Sequence, residues 1–261
     1  VATGIPDGSR VLTAQGEFTS VTFPFAAQEH RGIKVLETEL AELPSRVDSA
    51  DLVAVSVVQS ADGAQVDLDA LRQSCRAAGV PVLLDATQAA GWMPLELDWA
   101  DWVVAGGYKW LLAPRGASWL AVHPRAKRLT CPVGANWYAG ADPWQSIYGL
   151  PLRLAGDARA FDLSPVWLAQ VGAAAALPWL ASLHLETVRT HCVGLADRLR
   201  ARLGLPARGS AIVALEAPEA DNRLAAAGVV ASTRAGKARV GFHLYNTEAD
   251  VDAVVDALAT G

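Results

Sequence analysis

Three residues in this chain have the types and positions to do chemistry together: Asp85, Gln88 and Lys109. Asp85 comes straight after the apolar run Pro81-Val82-Leu83-Leu84. A carboxylate at the carboxyl end of a buried parallel strand sits where α/β sheets bind ligands. The plainer role for a lone aspartate there is a helix cap or a turn. Gln88 follows three positions later, and Gly91 and Pro94 keep the chain turning. Lys109 follows Gly106-Gly107-Tyr108 and precedes Trp110-Leu111-Leu112. The glycines allow a close backbone approach. The apolar bulk argues against an ordinary surface lysine, because a partly desolvated amine has a lowered pKa and can form a Schiff base.

One cofactor suits this set. Pyridoxal 5′-phosphate needs a lysine for its aldehyde and a carboxylate beside its pyridine nitrogen, so that the protonated ring acts as an electron sink. It also needs a donor near its phenolic oxygen and an aromatic or imidazole over the ring face. Lys109, Asp85 and Gln88 supply the first three. Rival chemistries lack their patterns. The Gly106–Lys109 segment has no phosphate-loop spacing, and neither a Gly-x-Ser-x-Gly elbow nor a Gly-x-Gly-x-x-Gly fingerprint occurs. His30, His123, His184, His191 and His243 show no metal-ligand spacing, so no metal site is expected.

The elements that must position these residues alternate. Strands are expected over Arg10–Ala14, Asp51–Val58, Val80–Leu84, Asp101–Ala105 and Ser118–Val122, with a helix over Asp67–Ala78. This rhythm indicates an α/β domain with a mainly parallel sheet. Pro165–His184 is alanine-rich and helical, with Pro178 expected to kink or break it. A helix over Leu185–Leu203, strands over Ala211–Leu215 and Ala238–Leu244, and a helix over Glu248–Ala259 capped by Thr247 complete a smaller α+β unit. The expected division is a large domain over 1–182 and a small one over 183–261.

The chain has 261 residues, is 52% hydrophobic and carries a net charge of −5, which allows one or two domains with a large core. No long basic run occurs, so nucleic acid is not a favoured partner. The longest apolar stretches, such as Val171–Leu183, are broken by glycine or proline and fall short of a membrane span. Val1–Arg10 does not read as a signal peptide. Cys75, Cys131 and Cys192 are too scattered for a disulfide framework, which points to a reducing cytoplasm. Val1 opens into a loop-like segment, so a preceding segment is expected.

From about Gly16 onward the sequence resembles the class V aminotransferase family of fold-type I pyridoxal-phosphate enzymes, which includes cysteine desulfurases and kynureninases. Asp85-Ala86-Thr87-Gln88 looks like the family's Asp-x-x-Gln/His segment, and Tyr108-Lys109 like its His/Tyr-Lys pair. Gly16-Glu17-Phe18-Thr19-Ser20, Gln59-Ser60-Ala61-Asp62-Gly63 and Arg239 through Thr247 match further segments. The resemblance implies that Asp85 meets the ring nitrogen, Gln88 and Ser60 the phenolic oxygen, and Tyr108 the phosphate. It implies Phe18 on the ring face and Arg239 on the substrate carboxylate, where a planar fork fits well.

Two departures narrow the resemblance. Leu205–Arg239 lacks the cysteine of the desulfurases, so that activity is disfavoured, and Gly106 replaces a frequent phosphate-binding serine. The family also has an N-terminal segment whose Gly/Ser/Thr turn cradles the phosphate at a helix start. The expectation is a homodimeric enzyme that acts on a small amino acid by transamination or β-elimination. A second reading is a catalytically incomplete remnant of the fold that serves as a binding or structural protein.

Overall fold

The computed structural model describes residues 1–259. Arg10–Ala14 (β1), Lys34–Thr38 (β2), Leu52–Ser56 (β3), Val82–Asp85 (β4), Trp102–Gly106 (β5) and Ser118–Val122 (β6) form one sheet in the order β2-β1-β3-β4-β5-β6. The first five strands pair in parallel, and β6 closes the edge antiparallel to β5. A strand covered on both faces must be apolar throughout, and β3 is buried at every position. The chain leaves β1 for β2 on one side and returns to β3 on the other. Such a reversal opens a crevice at the carboxyl ends of the strands. The register sets Ser56 beside Asp85 and Asp85 beside Val104, so the ends of β3, β4 and β5 line up on that crevice.

The helices are Thr19–Ala26 (α1), Leu68–Ala78 (α2), Trp167–Ala181 (α3), Leu185–Arg202 (α4), Ala220–Ala226 (α5) and Glu248–Ala259 (α6). In α2 the Asp67 carboxylate caps the N-terminus by accepting from Ala70 N–H at 2.9 Å, and Leu71 and Cys75 face the core. No single helix among the described residues is long and apolar enough to cross a membrane.

A second sheet holds Ile212–Leu215 (β7), Ser232–Arg234 (β8) and Lys237–Gly241 (β9), antiparallel in the order β7-β9-β8. Ala235 and Gly236 turn β8 into β9 with φ of 47° and 75°, the left-handed pair that a tight hairpin requires. Leu195, Leu199, Val213, Leu224, Phe242 and Val251 form the core of this unit. Helix α4 serves both cores, because Val188 and Cys192 pack into the larger one.

Several sequence-based expectations shift. β2 escaped notice because it is an edge strand, with Lys34 and Glu37 breaking its apolar pattern. α1 did too, because β-branched residues and Pro24 give it poor helix propensity. Pro178 does not break α3, which runs on to Ala181. Proline lies in the last turn there, and the helix ends three residues later. The start of α6 is closed by Asp250, whose carboxylate accepts from the Thr247 N–H at 2.7 Å.

Candidate active site

Lys109 lies in the turn after β5, Asp85 ends β4 and Gln88 follows it. Phe18 precedes α1, and Ser60 lies in the loop after β3. Together with Tyr108, Ser56, Thr87, Gly106 and Ser20, they line one cavity of about 160 Å³. A second cavity of about 390 Å³ shares Gln88, Tyr108 and Lys109 and continues to Arg239 on the small sheet. The structure therefore brings all the sequence-predicted residues to one place, with Arg239 entering from the far side.

The Lys109 amine sits 5.4 Å from the centre of the Phe18 ring and 5.7 Å from that of Tyr108. No carboxylate forms an ion pair with it among the described residues. Its pKa is pulled down to about 8, chiefly by burial. Asp85 opposes the shift, while Arg239, Arg234 and Arg115 add to it. Lys109 is thus half-buried, unlike an ordinary surface lysine. Asp85 does take its turn role, accepting from the Thr87 N–H through Oδ1 at 2.8 Å. Its Oδ2 keeps no hydrogen-bond partner among the described residues, on a residue that lines the cavity.

Gln88 is held on three sides. Trp110 Nε1 donates to its Oε1 at 3.0 Å, its Nε2 donates to Ser60 Oγ at 3.1 Å, and Trp92 Nε1 donates to its main-chain carbonyl at 2.7 Å. An indole N–H can only donate, which fixes the orientation of the buried amide. One N–H of Nε2 remains beyond the bond to Ser60. Phe18 is 39% exposed and lines the cavity, which rules out a core role. Tyr108 carries the Arg115 guanidinium over its ring at 4.3 Å. Arg239 donates to the Ser60 carbonyl and hydroxyl, and burial together with Arg234 lowers its pKa. The glycines before Tyr108 approach protein. A Cβ on Gly107 would come within 2.9 Å of Trp119 and 3.0 Å of Ala113.

Residues 3–230 match the family model "Aminotransferase class-V". The chain belongs to the class V aminotransferase family. It is 27% identical to an uncharacterized aminotransferase of Bacillus subtilis (strain 168) over 81% of the chain and 60% of that protein. It is 25% identical to isopenicillin N epimerase of Streptomyces clavuligerus over 95% of the chain and 73% of that protein. Its fold matches a cysteine desulfurase from Thermococcus onnurineus NA1 with a TM-score of 0.86, covering 98% of this chain and 73% of that one, at 18% identity. The chain thus spans 60% of the length of the Bacillus relative. The fold is fold-type I, the class V family is one of aminotransferases and lyases, and its cofactor is pyridoxal 5′-phosphate.

The class V site has features that the residues present fit. A cavity wall with a half-buried amine, a free carboxylate oxygen and an aromatic ring suits the aldehyde, ring nitrogen and ring face of that cofactor. Sequence reasoning missed Glu17. Its carboxylate is buried and accepts from Phe18 N–H, Ser56 N–H, Ser56 Oγ and Gln59 Nε2 at 2.6–2.9 Å. Its place immediately before the ring-face candidate was the available signal. Also missed was an aromatic stack in which His243 lies 5.2 Å from Trp110 and 5.0 Å from Tyr245. Trp137, Trp144 and Tyr148, in the loop after the lysine segment, line neither cavity.

Proposed function

We propose that this chain carries the cofactor-binding half-site of a pyridoxal-phosphate enzyme that acts on a small amino acid by transamination or β-elimination. The carrying observation is that Lys109, Asp85 and Phe18 meet around one cavity at the carboxyl edge of a mostly parallel sheet. When bound, the cofactor supplies an aldehyde for an amine and a protonated ring that withdraws electrons from the substrate Cα.

The chain's own residues do the rest. Lys109 Nζ is the amine that takes up the aldehyde. Its lowered pKa lets it be neutral and nucleophilic near pH 8, and once freed it holds and moves the proton at the substrate Cα. Asp85 Oδ2 would accept the proton of the ring nitrogen. Phe18 would pack on the ring face, Gln88 and Ser60 would orient the phenolic oxygen, and the Tyr108 hydroxyl would serve the phosphate. Arg239 orients the substrate carboxylate, giving up its hold on Ser60 to do so.

Among the described residues the cavities offer no cysteine for desulfurase chemistry, and two of the three thiols are buried while Cys131 is exposed. Burial pushes the Cys75 thiol up to about 12 and the Cys192 thiol to about 11, far from the thiolate that sulfur transfer needs. A homodimer is supported by the exposed Trp167, Leu168, Val171 and Trp179 of α3, an apolar surface unusual on a free monomer.

The test is direct. Added pyridoxal phosphate should give a visible absorption band, and borohydride should then fix the cofactor's mass on the peptide that contains Lys109. Lys109→Ala should abolish both. A protein that shows neither signal with an intact Lys109 would end this reading.

A further inference from the structure

The hairpin β8–β9 alternates cleanly. Ala238 and Val240 of β9 point into the small-domain core. Residues at the alternate positions occupy the opposite face. Pairing of Ser232 with Arg239 and of Arg234 with Lys237 puts these four side chains on that face. Three of them, Ser232, Arg234 and Arg239, line the cavity that ends at Lys109.

The cations on this face differ in what holds them. Lys237 is paired with Glu216. Arg239 rests on Ser60. Arg234 donates to the main-chain carbonyl of Thr233 at 2.7 Å, and no carboxylate pairs with it among the described residues. The cavity lining holds Lys109, Arg234 and Arg239 and not one aspartate or glutamate. Arg234 also depresses the pKa of both Lys109 and Arg239, so its charge is felt across the cavity. Like charges gathered around a half-enclosed space cost free energy until an anion enters. One carboxylate answers Arg239 and leaves Arg234 unanswered.

We infer that Arg234 binds a second anionic group on the substrate, so that the site selects α-amino acids with an acidic side chain. This deepens the function proposed above and rests on its placing of the α-carboxylate at Arg239. The spacing is suitable. Arg234 is the diagonal cross-strand neighbour of Arg239, a relationship that separates such residues by roughly 7–8 Å and leaves long side chains free to converge. A guanidinium fork gives bidentate recognition of each acidic group. Tyr245, stacked on His243, forms an aromatic wall of the same space and suits the intervening methylenes.

Unreactive anions separate binding from chemistry. Succinate has two carboxylates and propionate one, and neither has an amine. Calorimetric titration of the cofactor-loaded protein should show succinate binding at least roughly tenfold tighter than propionate. Arg234→Gln should bring that ratio close to one, weakening succinate far more than propionate, which loses only the long-range pull of the Arg234 charge. Arg234→Lys should keep part of the preference. A succinate-to-propionate ratio unchanged in Arg234→Gln would overturn the inference, as would a loss of cofactor affinity with the ratio intact, which would assign Arg234 to the phosphate. Propionate that binds Arg239→Gln as tightly as the parent would instead remove Arg239 from the proposed function. A succinate preference that Arg234→Gln abolishes would still stand in that case.

Discussion

Arg239, on the small sheet, donates to both the main-chain carbonyl and the hydroxyl of Ser60, in the loop that follows β3 of the large sheet. The same hydroxyl accepts from Gln88 Nε2, so one oxygen ties the small sheet to the cofactor side of the cavity. Ser60 is buried, which makes the loss of this oxygen costly. Ser60→Ala leaves a buried amide N–H without its acceptor, a change worth about 1–3 kcal/mol. Urea unfolding should show that loss, and cofactor affinity should fall with it as Gln88 loses its orientation. Stability equal to the parent's would mean that the Gln88–Ser60 bond adds nothing.

Glu17 is the acceptor that fixes Phe18. Each carboxylate oxygen takes two donors, Oε1 from Phe18 N–H and Ser56 Oγ, and Oε2 from Ser56 N–H and Gln59 Nε2. Glutamine keeps the shape but turns one oxygen into an NH₂ group, which then faces at least one N–H whichever way the amide is flipped. Glu17→Gln is expected to cost on the order of 1–3 kcal/mol, and to loosen the Phe18 ring over the cavity. Chemical denaturation measures the first effect, and the circular dichroism of the bound cofactor measures the second. A variant unchanged in both would show that Phe18 is held by its own packing.

The site was more legible in the sequence than the scaffold around it. Asp85 and Lys109 were readable because a charged residue after an apolar run marks a strand end, and the sheet brings such ends together. Glu17 was hidden because its partners Ser56 and Gln59 lie about forty residues away in sequence, and only the pairing of β1 with β3 makes them neighbours. Arg234 was hidden for a similar reason. Its side of the hairpin is fixed by the turn at Ala235-Gly236, and β8 itself is too short to show an alternation. The fold class followed from apolar strands alternating with helices, whereas the edge strand β2 carries charges that blur that signal.

His243 is a buried imidazole whose protonation state is dictated by its neighbours. Nδ1 accepts from the Leu244 N–H at 2.7 Å, so Nε2 carries the proton and donates to the Trp110 carbonyl at 3.1 Å. Burial lowers its pKa, and the bond to Trp110 opposes this only in part. A second proton would point at the Leu244 N–H. The unfolded chain therefore binds more protons than the folded one just below the ordinary histidine value of about 6.5, and stability must fall as the pH drops through that window. His243→Phe keeps the stack on Trp110 and should flatten this slope while lowering stability at neutral pH. An equal slope in parent and variant between pH 7 and pH 5 would assign the acid sensitivity to other groups.

Lys109 gives the sharpest pH test, because burial sets its pKa at about 8. The ordinary lysine value is about 10.4, so at neutral pH a far larger fraction of this amine is neutral than of a surface lysine. Three further lysines, Lys34, Lys127 and Lys237, serve as internal references. Cofactor-free protein treated with a small aldehyde and cyanoborohydride can be followed at each lysine by mass spectrometry. Modification of Lys109 should reach half its plateau rate near pH 8, with the references rising only at higher pH. Removing the one anion that supports the charged form, by Asp85→Asn, should move the Lys109 midpoint lower still. Removing an opposing cation, by Arg234→Gln, should move it higher. A Lys109 midpoint that coincides with the reference lysines would show that the amine is solvated, and the cavity would then lose the reactive group on which its chemistry depends.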